Sequence, residues 1–134
     1  MRKQLVSKAE GVVLETAIGF NLNLDYYNLA KIKQLFGCDW VDMCLKEAEK
    51  KCPDKLTLFN CDMHKMPFND NSFDTVIDTF GLECTYDIQK SFAEMKRLAK
   101  PGGKILLLER GKGYWLIDNF KMMQKTSVNI SARG

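Results

Sequence analysis

Val12-Val13-Leu14-Glu15-Thr16-Ala17-Ile18-Gly19-Phe20-Asn21-Leu22-Asn23 decides how the rest of the chain is read. It opens as a buried strand, a short apolar run with β-branched residues that ends at an acid. It then turns through small and turn-prone residues toward a helix predicted to begin near Leu24. Parallel α/β sheets bind ligands where a strand stops at such a turn. Free N–H groups point outward there, and small residues let a ligand approach the main chain.

Outward from this stretch, predicted strands and helices alternate. Upstream, residues 2–10 read as a short helix with Leu5, Val6 and Ala9 on one side and Gly11 as its stop. Downstream, a helix is predicted over Asn23–Ala30 with Leu24, Tyr27 and Ala30 inward. Strand two is Ile32–Cys38 and ends at Asp39. Asp42 is placed to cap a helix over Met43–Lys51, supported by a Glu47–Lys51 pair. Strand three is Leu56–Asn60, followed by a polar loop from Cys61 to Ser72. Strand four is Thr75–Phe80. Asp87 caps a helix whose apolar residues Ile88, Phe92, Met95, Leu98 and Ala99 recur at helical spacing. Pro101-Gly102-Gly103 is a tight stop before strand five, Lys104–Glu109. Such alternation predicts right-handed crossovers and an α/β, doubly wound, Rossmann-like, mostly parallel sheet of order 3-2-1-4-5. Residues 1–111 form its core. The tail, 112–134, is predicted to be helical in part, over Tyr114–Gln124.

A chain of 134 residues with 46% hydrophobic and 28% charged residues fits one soluble globular domain. The net charge of +3 is mild and the 20 Lys and Arg are dispersed, so no nucleic-acid surface is signalled. The five cysteines are odd in number and without C-x-x-C spacing. They point to free thiols in a reducing intracellular compartment, cytoplasmic or mitochondrial. With a single histidine, no zinc or other metal site is predicted. No apolar run approaches a membrane span. Too few residues precede the first strand for a signal or transit peptide.

The acids Glu15, Asp39 and Asp62 fall at or just after the ends of strands one, two and three, and are expected to line one crevice. An acid ending strand two can accept both hydroxyls of an adenosine ribose. An acid after strand three can accept the amino group of an adenine, with Trp40 and Met63 offering apolar surface to the base. The blander reading has Asp39 capping a turn and Asp62 solvated; three acids in register favour the ligand. A nicotinamide dinucleotide is disfavoured, because Leu22 stands where G-x-G-x-x-G needs its third glycine. His64 reads as a loop side chain, Cys84 as packing, and Glu83 as a solvated acid.

Further stretches complete a pattern: Gly37-Cys38-Asp39, Asp62-Met63, Met66-Pro67-Phe68 leading to Asn71-Ser72-Phe73-Asp74-Thr75-Val76, Glu94-Met95-Lys96-Arg97-Leu98, and Lys100-Pro101-Gly102-Gly103-Lys104. In these residues, over about 2–111, the chain resembles class I S-adenosylmethionine-dependent methyltransferases of the type 11 branch. It is similar to the ubiquinone/menaquinone methyltransferases and the mitochondrial OMS-type methyltransferase-like proteins. The resemblance implies S-adenosyl-L-methionine as cofactor and S-adenosyl-L-homocysteine as product. It implies a cofactor turn carrying Glu15, Ala17, Gly19 and Asn21, with the backbone around Ala17 and Gly19 facing the methionine part. Asp39 would bind the ribose, Trp40 would pack on the adenine, and Asp62 would bind its amino group beside Met63. Thr79 would lie near the reactive methyl. The acceptor it implies is a small molecule or lipid-like quinone, with protein and RNA left open.

The chain departs from the family turn E-x-G-x-G-x-G by carrying Ala17, Gly19 and Asn21. The Asn21 side chain is expected to project where the ligand's amino-acid end lies, and Phe20 adds bulk. The family usually carries lid helices before strand one and two more strands after strand five, so the chain reads as truncated at both ends or as a degenerate copy. Strand five is then expected to be an open apolar edge. A protein partner or a second copy would cover it, with Trp115, Phe120 and Met123 in the 114–124 segment helping to dock. The alternative function is a catalytically inactive scaffold or interaction subunit of a larger assembly.

Overall fold

Successive residues along a strand face opposite sides of a sheet, and here each side acquires its own helices. The computed structural model describes residues 2–110 and 127–133. In chain order the elements are α1 (Arg2–Val6), β1 (Gly11–Thr16), β2 (Ile32–Asp39), α2 (Asp42–Glu49), β3 (Leu56–Asn60), β4 (Phe73–Thr79), α3 (Ile88–Leu98), β5 (Ala99–Arg110) and β6 (Ser127–Arg133). Val13, Ile77, Leu106 and Leu108 pack on one face with Leu5 and Val6 of α1 and Leu45 of α2. Leu14, Val76, Ile105 and Leu107 pack on the other with Phe92, Met95 and Leu98 of α3. The central strands are buried on both faces, which is why they read as unbroken apolar runs.

The strand order is β3-β2-β1-β4-β5-β6, with every neighbouring pair parallel. The first five strands stand in the expected order. The sixth corrects the expectation for strand five: Lys104 pairs with Ser127 and the register runs on to Arg110 and Arg133. β5 is therefore an interior strand, and a partner along it would meet β6 instead. Val128 and Ile130 alternate with polar residues in this segment, a strand pattern that a tail reading overlooked. The helix expected over 114–124 lies outside the described residues.

Other local expectations are redrawn. Instead of a helix over Asn23–Ala30 there are two single 3₁₀ turns, Leu24–Tyr26 and Leu29–Lys31. Eight residues make a marginal helix, and two side chains here are drawn elsewhere: Asn23 and Tyr27 both bond to Glu15. Ala30 is exposed, not inward. Asp42 is the first residue of α2 rather than its cap, and it accepts from the Asn60 amide. Glu47 pairs with Lys50 at 2.8 Å instead of Lys51. Asp87 caps α3 as expected, accepting from the Lys90 N–H at 3.0 Å. Pro101-Gly102-Gly103 bulges within β5 rather than preceding it, between the pairings Phe73–Ala99 and Thr75–Lys104. A side chain at Gly103 would lie 2.8 Å from the Asp74 carbonyl, so the bulge requires glycine there.

The Met66-Pro67-Phe68 and Glu94…Arg97 stretches hold each other. Arg97 donates to the carbonyls of Met66 and Phe68 and to the carboxylates of Glu94 and Asp70. Glu94 in turn accepts from the Met66 N–H. Phe68 packs edge-on against Phe36, Phe59 and Phe73, with ring centres 5.1–5.9 Å apart. These motifs clamp the long β3–β4 loop to α3 and so build the scaffold. Finally, Cys38 and Cys61 form a disulfide while Cys44, Cys52 and Cys84 are free. This corrects the expectation of free thiols throughout. The two residues come together only because β2 and β3 end side by side.

Candidate functional site

Every strand end that carries a candidate residue lies on one rim of the sheet, because parallel strands all end on the same side. The turn after β1 is shaped by positive φ at Ala17, Gly19 and Asn21, of 50°, 57° and 63°. The Ile18 N–H donates to the Cys38 carbonyl at 3.0 Å, tying the turn to the end of β2. After β4 the chain turns through Phe80, also at positive φ, and Gly81. Between these turns and the ends of β2 and β3 opens a cavity of about 240 Å³.

Ala17, Asp39, Trp40, Asp62, Met63 and Thr79 line this cavity. Gly81 lines it too, and a side chain there would come within 2.5 Å of the Ala17 Cβ and of the Asp78 carboxylate. The cavity therefore depends on a bare backbone at Gly81. Asp39 is buried and accepts from the N–H groups of Gly19 and Val41, each at 2.9 Å. Asp62 Oδ1 accepts from the His64 N–H at 2.8 Å, while Oδ2 has only a long 3.4 Å contact with the Tyr86 hydroxyl. These donors, the His64 N–H first, hold the Asp62 carboxyl below its ordinary pKa. Thr79 Oγ1 accepts from Asn23 at 3.0 Å and from Arg2 at 3.2 Å. Trp40 is 62% exposed at the mouth.

Three candidate residues are not on the cavity wall. Glu15 lies beneath the turn, 1% exposed. It accepts 2.6 Å bonds from Asn23 and from the Tyr27 hydroxyl. Burial pushes its pKa up to about 7. The expectation that Glu15, Asp39 and Asp62 line one crevice thus holds for the last two only. Glu15 is a strand residue and points into a layer, whereas Asp39 closes its strand and Asp62 lies beyond its own. Gly19 reaches the site through its N–H on Asp39. Asn21 is turned away: its amide donates to the Lys51 carbonyl at 2.6 Å, behind the turn. Positive φ at Asn21 swings its side chain toward the end of α2, contrary to the expected obstruction, and Phe20 is 55% exposed.

Sequence reasoning missed His64, which also lines the cavity and is 5% exposed. Its ring nitrogens face Asp62 and Thr85, and the ring stacks on Tyr86. The Asp-x-His spacing foreshadows the turn in which an Asp side chain accepts from the backbone two residues on; nothing local foreshadows Thr85 or Tyr86. Below the rim, Asp78 is fully buried and accepts from the Thr16 hydroxyl and the N–H groups of Gly81 and Leu82. Glu109 beside it is raised to about 9, by burial and then by the Asp78 charge. Among the described residues no His, Cys, Asp and Glu cluster could hold a metal ion. No helix among them is long and apolar enough to cross a membrane.

The cavity lies at the strand ends of a doubly wound sheet, and known proteins share that fold. The methyltransferase domain family, type 11, matches residues 14–107. Ubiquinone/menaquinone biosynthesis C-methyltransferases UbiE of Burkholderia mallei and Burkholderia pseudomallei are 48% identical to this chain over 52 residues. That stretch is 39% of this chain and 21% of theirs, so the chain aligns with about a fifth of these relatives' length. The YcgJ protein of Bacillus subtilis superposes with a TM-score of 0.70 at 21% identity, over 90% of this chain and 53% of that one. A chain of the complex between the Haloferax volcanii Trm112 methyltransferase activator and a methyltransferase superposes with a TM-score of 0.69 at 25% identity, over 75% and 47%. The match covers most of this chain, including both turns and both cavity acids, and the chain belongs to the class I S-adenosylmethionine-dependent methyltransferase family.

Proposed function

We propose that this chain binds S-adenosylmethionine in the rim cavity and catalyses methyl transfer to an apolar acceptor. The observation that carries the reading is the pairing of Asp39 and Asp62 on one cavity wall, beside the apolar surfaces of Trp40 and Met63. The residues fit the cofactor. Asp39 keeps lone pairs for ribose hydroxyls while its bonds to Gly19 and Val41 fix its direction. Asp62 Oδ2 is left for an adenine amino group. The bare backbone at Gly81 and the small Ala17 give room for close approach. The volume of about 240 Å³ is smaller than the roughly 300 Å³ of common small-molecule pockets. It suits the adenosine end, with the rest of the ligand along the open turn.

The bound cofactor supplies an activated methyl group on a positive sulfur. The chain's own part is to hold that group and the acceptor in line, which is chiefly proximity and orientation. Thr79, fixed by Asn23 and Arg2, sits where β4 meets the cavity and faces the acceptor side. Exposed Trp40 and Val41 line the cavity mouth together with Met63, and exposed Tyr86 stacks on His64 of the wall, so apolar surface borders the opening. That supports an acceptor with a ring or chain of hydrocarbon, consistent with the quinone precursors implied by the names of the UbiE relatives. An activator subunit, as in the Haloferax complex, is a second reading for the outer edge at β6.

Calorimetric titration with S-adenosylhomocysteine tests the cofactor site. Micromolar binding, about −8 kcal/mol, is expected for the wild type and lost in Asp39→Ala. No heat from a folded wild type would overturn the reading.

A further inference from the structure

We infer that His64 is a positioning residue for Asp62: it takes up one carboxylate oxygen and so presents the other to the cavity. This rests on the cofactor reading above, which gives Asp62 a ligand to hold.

An ionised carboxylate only accepts. The His64 Nδ1 lies 2.5 Å from Asp62 Oδ1, so Nδ1 carries the proton and donates. The same oxygen accepts from the His64 backbone N–H at 2.8 Å. One residue thus saturates Oδ1 twice, leaving Oδ2 toward the cavity. On the other side of the ring Nε2 faces the Thr85 hydroxyl, which can donate or accept, and at 3.3 Å the Asp87 N–H, which can only donate; the geometry is therefore that of an accepting Nε2 and a neutral ring protonated on Nδ1. Thr85 Oγ1 is itself held by Ser91 Oγ at 3.0 Å. The partner of one ring nitrogen sets the state of the other, so the loop after β4 decides which way His64 serves the loop after β3.

Ring orientation is fixed independently. Tyr86 stacks on His64 with centres 3.7 Å apart and planes 21° from parallel, and its hydroxyl reaches Asp62 Oδ2 at 3.4 Å. That contact is long for a hydrogen bond and yields readily to a better donor in the cavity. The arrangement joins the adenine end of the cleft to its opposite wall through a single side chain.

Two measurements on the full chain test this. His64 is the only histidine, so a long-range ¹H–¹⁵N spectrum of the free protein contains one imidazole. The proton is expected on Nδ1 with Nε2 bare, and this pattern is expected to be lost in Asp62→Ala. A proton resident on Nε2 in the wild type would overturn the inference. The second measurement is S-adenosylhomocysteine affinity in His64→Asn, His64→Gln and His64→Leu. An Asn amide can replace the Nδ1 donor, whereas Gln reaches only toward Thr85. Loss of a hydrogen bond to a charged group corresponds to about tenfold or more in affinity, expected for Leu and Gln. The Asn variant is expected to stay within about threefold of wild type, at a thermal stability no higher than that of Gln. If Leu binds as wild type does, or Asn binds as weakly as Gln, the inference falls. Should Leu not fold, the Asn and Gln pair decides. A wild type that binds no S-adenosylhomocysteine overturns the cofactor reading and this one with it; wild-type binding that ignores His64 overturns this one alone.

Discussion

Two sets of carboxylates stand within a few residues of each other at one end of the sheet. Asp39 and Asp62 lie on the cavity wall. Glu15, Asp78 and Glu109 lie just below, each 5% exposed or less. Residue type and strand-end location are shared; depth separates them. The upper acids reach the cavity and accept from backbone N–H groups of turning chain, and for Asp62 these donors, the His64 N–H first, hold the pKa below its ordinary value. The lower acids lie within strands and point into a core that disfavours charge, so the pKa of Glu15 rises to about 7 and that of Glu109 to about 9. The upper set is available to a ligand; the lower set shapes the turns from beneath.

The largest effect that could break this distinction is expected at Asp78. Its carboxylate serves the Thr16 hydroxyl and the N–H groups of Gly81 and Leu82. Asp78→Ala leaves those buried donors unpaired and should cost about 4 kcal/mol in denaturant unfolding. Asp62→Ala should cost less than half of that. Equal losses would mean that depth does not divide the two sets.

Next comes pH. Glu15 binds a proton more tightly folded than unfolded, so its contribution is full below its unfolded value near 4.5 and declines as pH rises to about 7. The decline amounts to at most about 3 kcal/mol. Glu15→Gln should flatten stability over that window, and Glu109→Gln should remove the further decline toward pH 9. A wild type whose stability rises across the window would contradict the assignment.

A smaller effect concerns the spacing of the upper pair. The Cys38–Cys61 disulfide immediately precedes Asp39 and Asp62, with Cα atoms 5.9 Å apart and a sequence separation of 23. Reduction should lower stability by about 2–3 kcal/mol, and Cys61→Ser should abolish the response to reductant. Differential scanning with and without reductant reads this directly. The smallest change is expected for Asp87→Ala, which removes the α3 cap but keeps the backbone N–H that reaches His64, and should cost about 1 kcal/mol in denaturant unfolding.

What could be read from the chain divides along the same physical line. The five-strand order, the capped α3 and the rim location of Asp39 and Asp62 were all legible, because each depends on periodicity, capping or strand ends within a short window. Glu15 was misplaced because a residue of shift along a strand exchanges cavity for core. Asn21 was misjudged because the direction of its side chain depends on positive φ at the turn and on an acceptor at Lys51. The segment 23–30 was misjudged because Asn23 and Tyr27 satisfy a buried acid instead of a helix.

By itself, then, the sequence determined an α/β sheet, its order through strand five and the family to which the chain belongs. These follow from local hydrophobic period and from motifs such as Met66-Pro67-Phe68 and Arg97. Only the tertiary structure decided which acids face the cavity, that β6 closes the side of β5, and that Cys38 meets Cys61. It also made His64 a bridge between two loops. Each of these depends on groups far apart in the chain being brought within a few ångströms, and no pattern of neighbours along the chain encodes that approach.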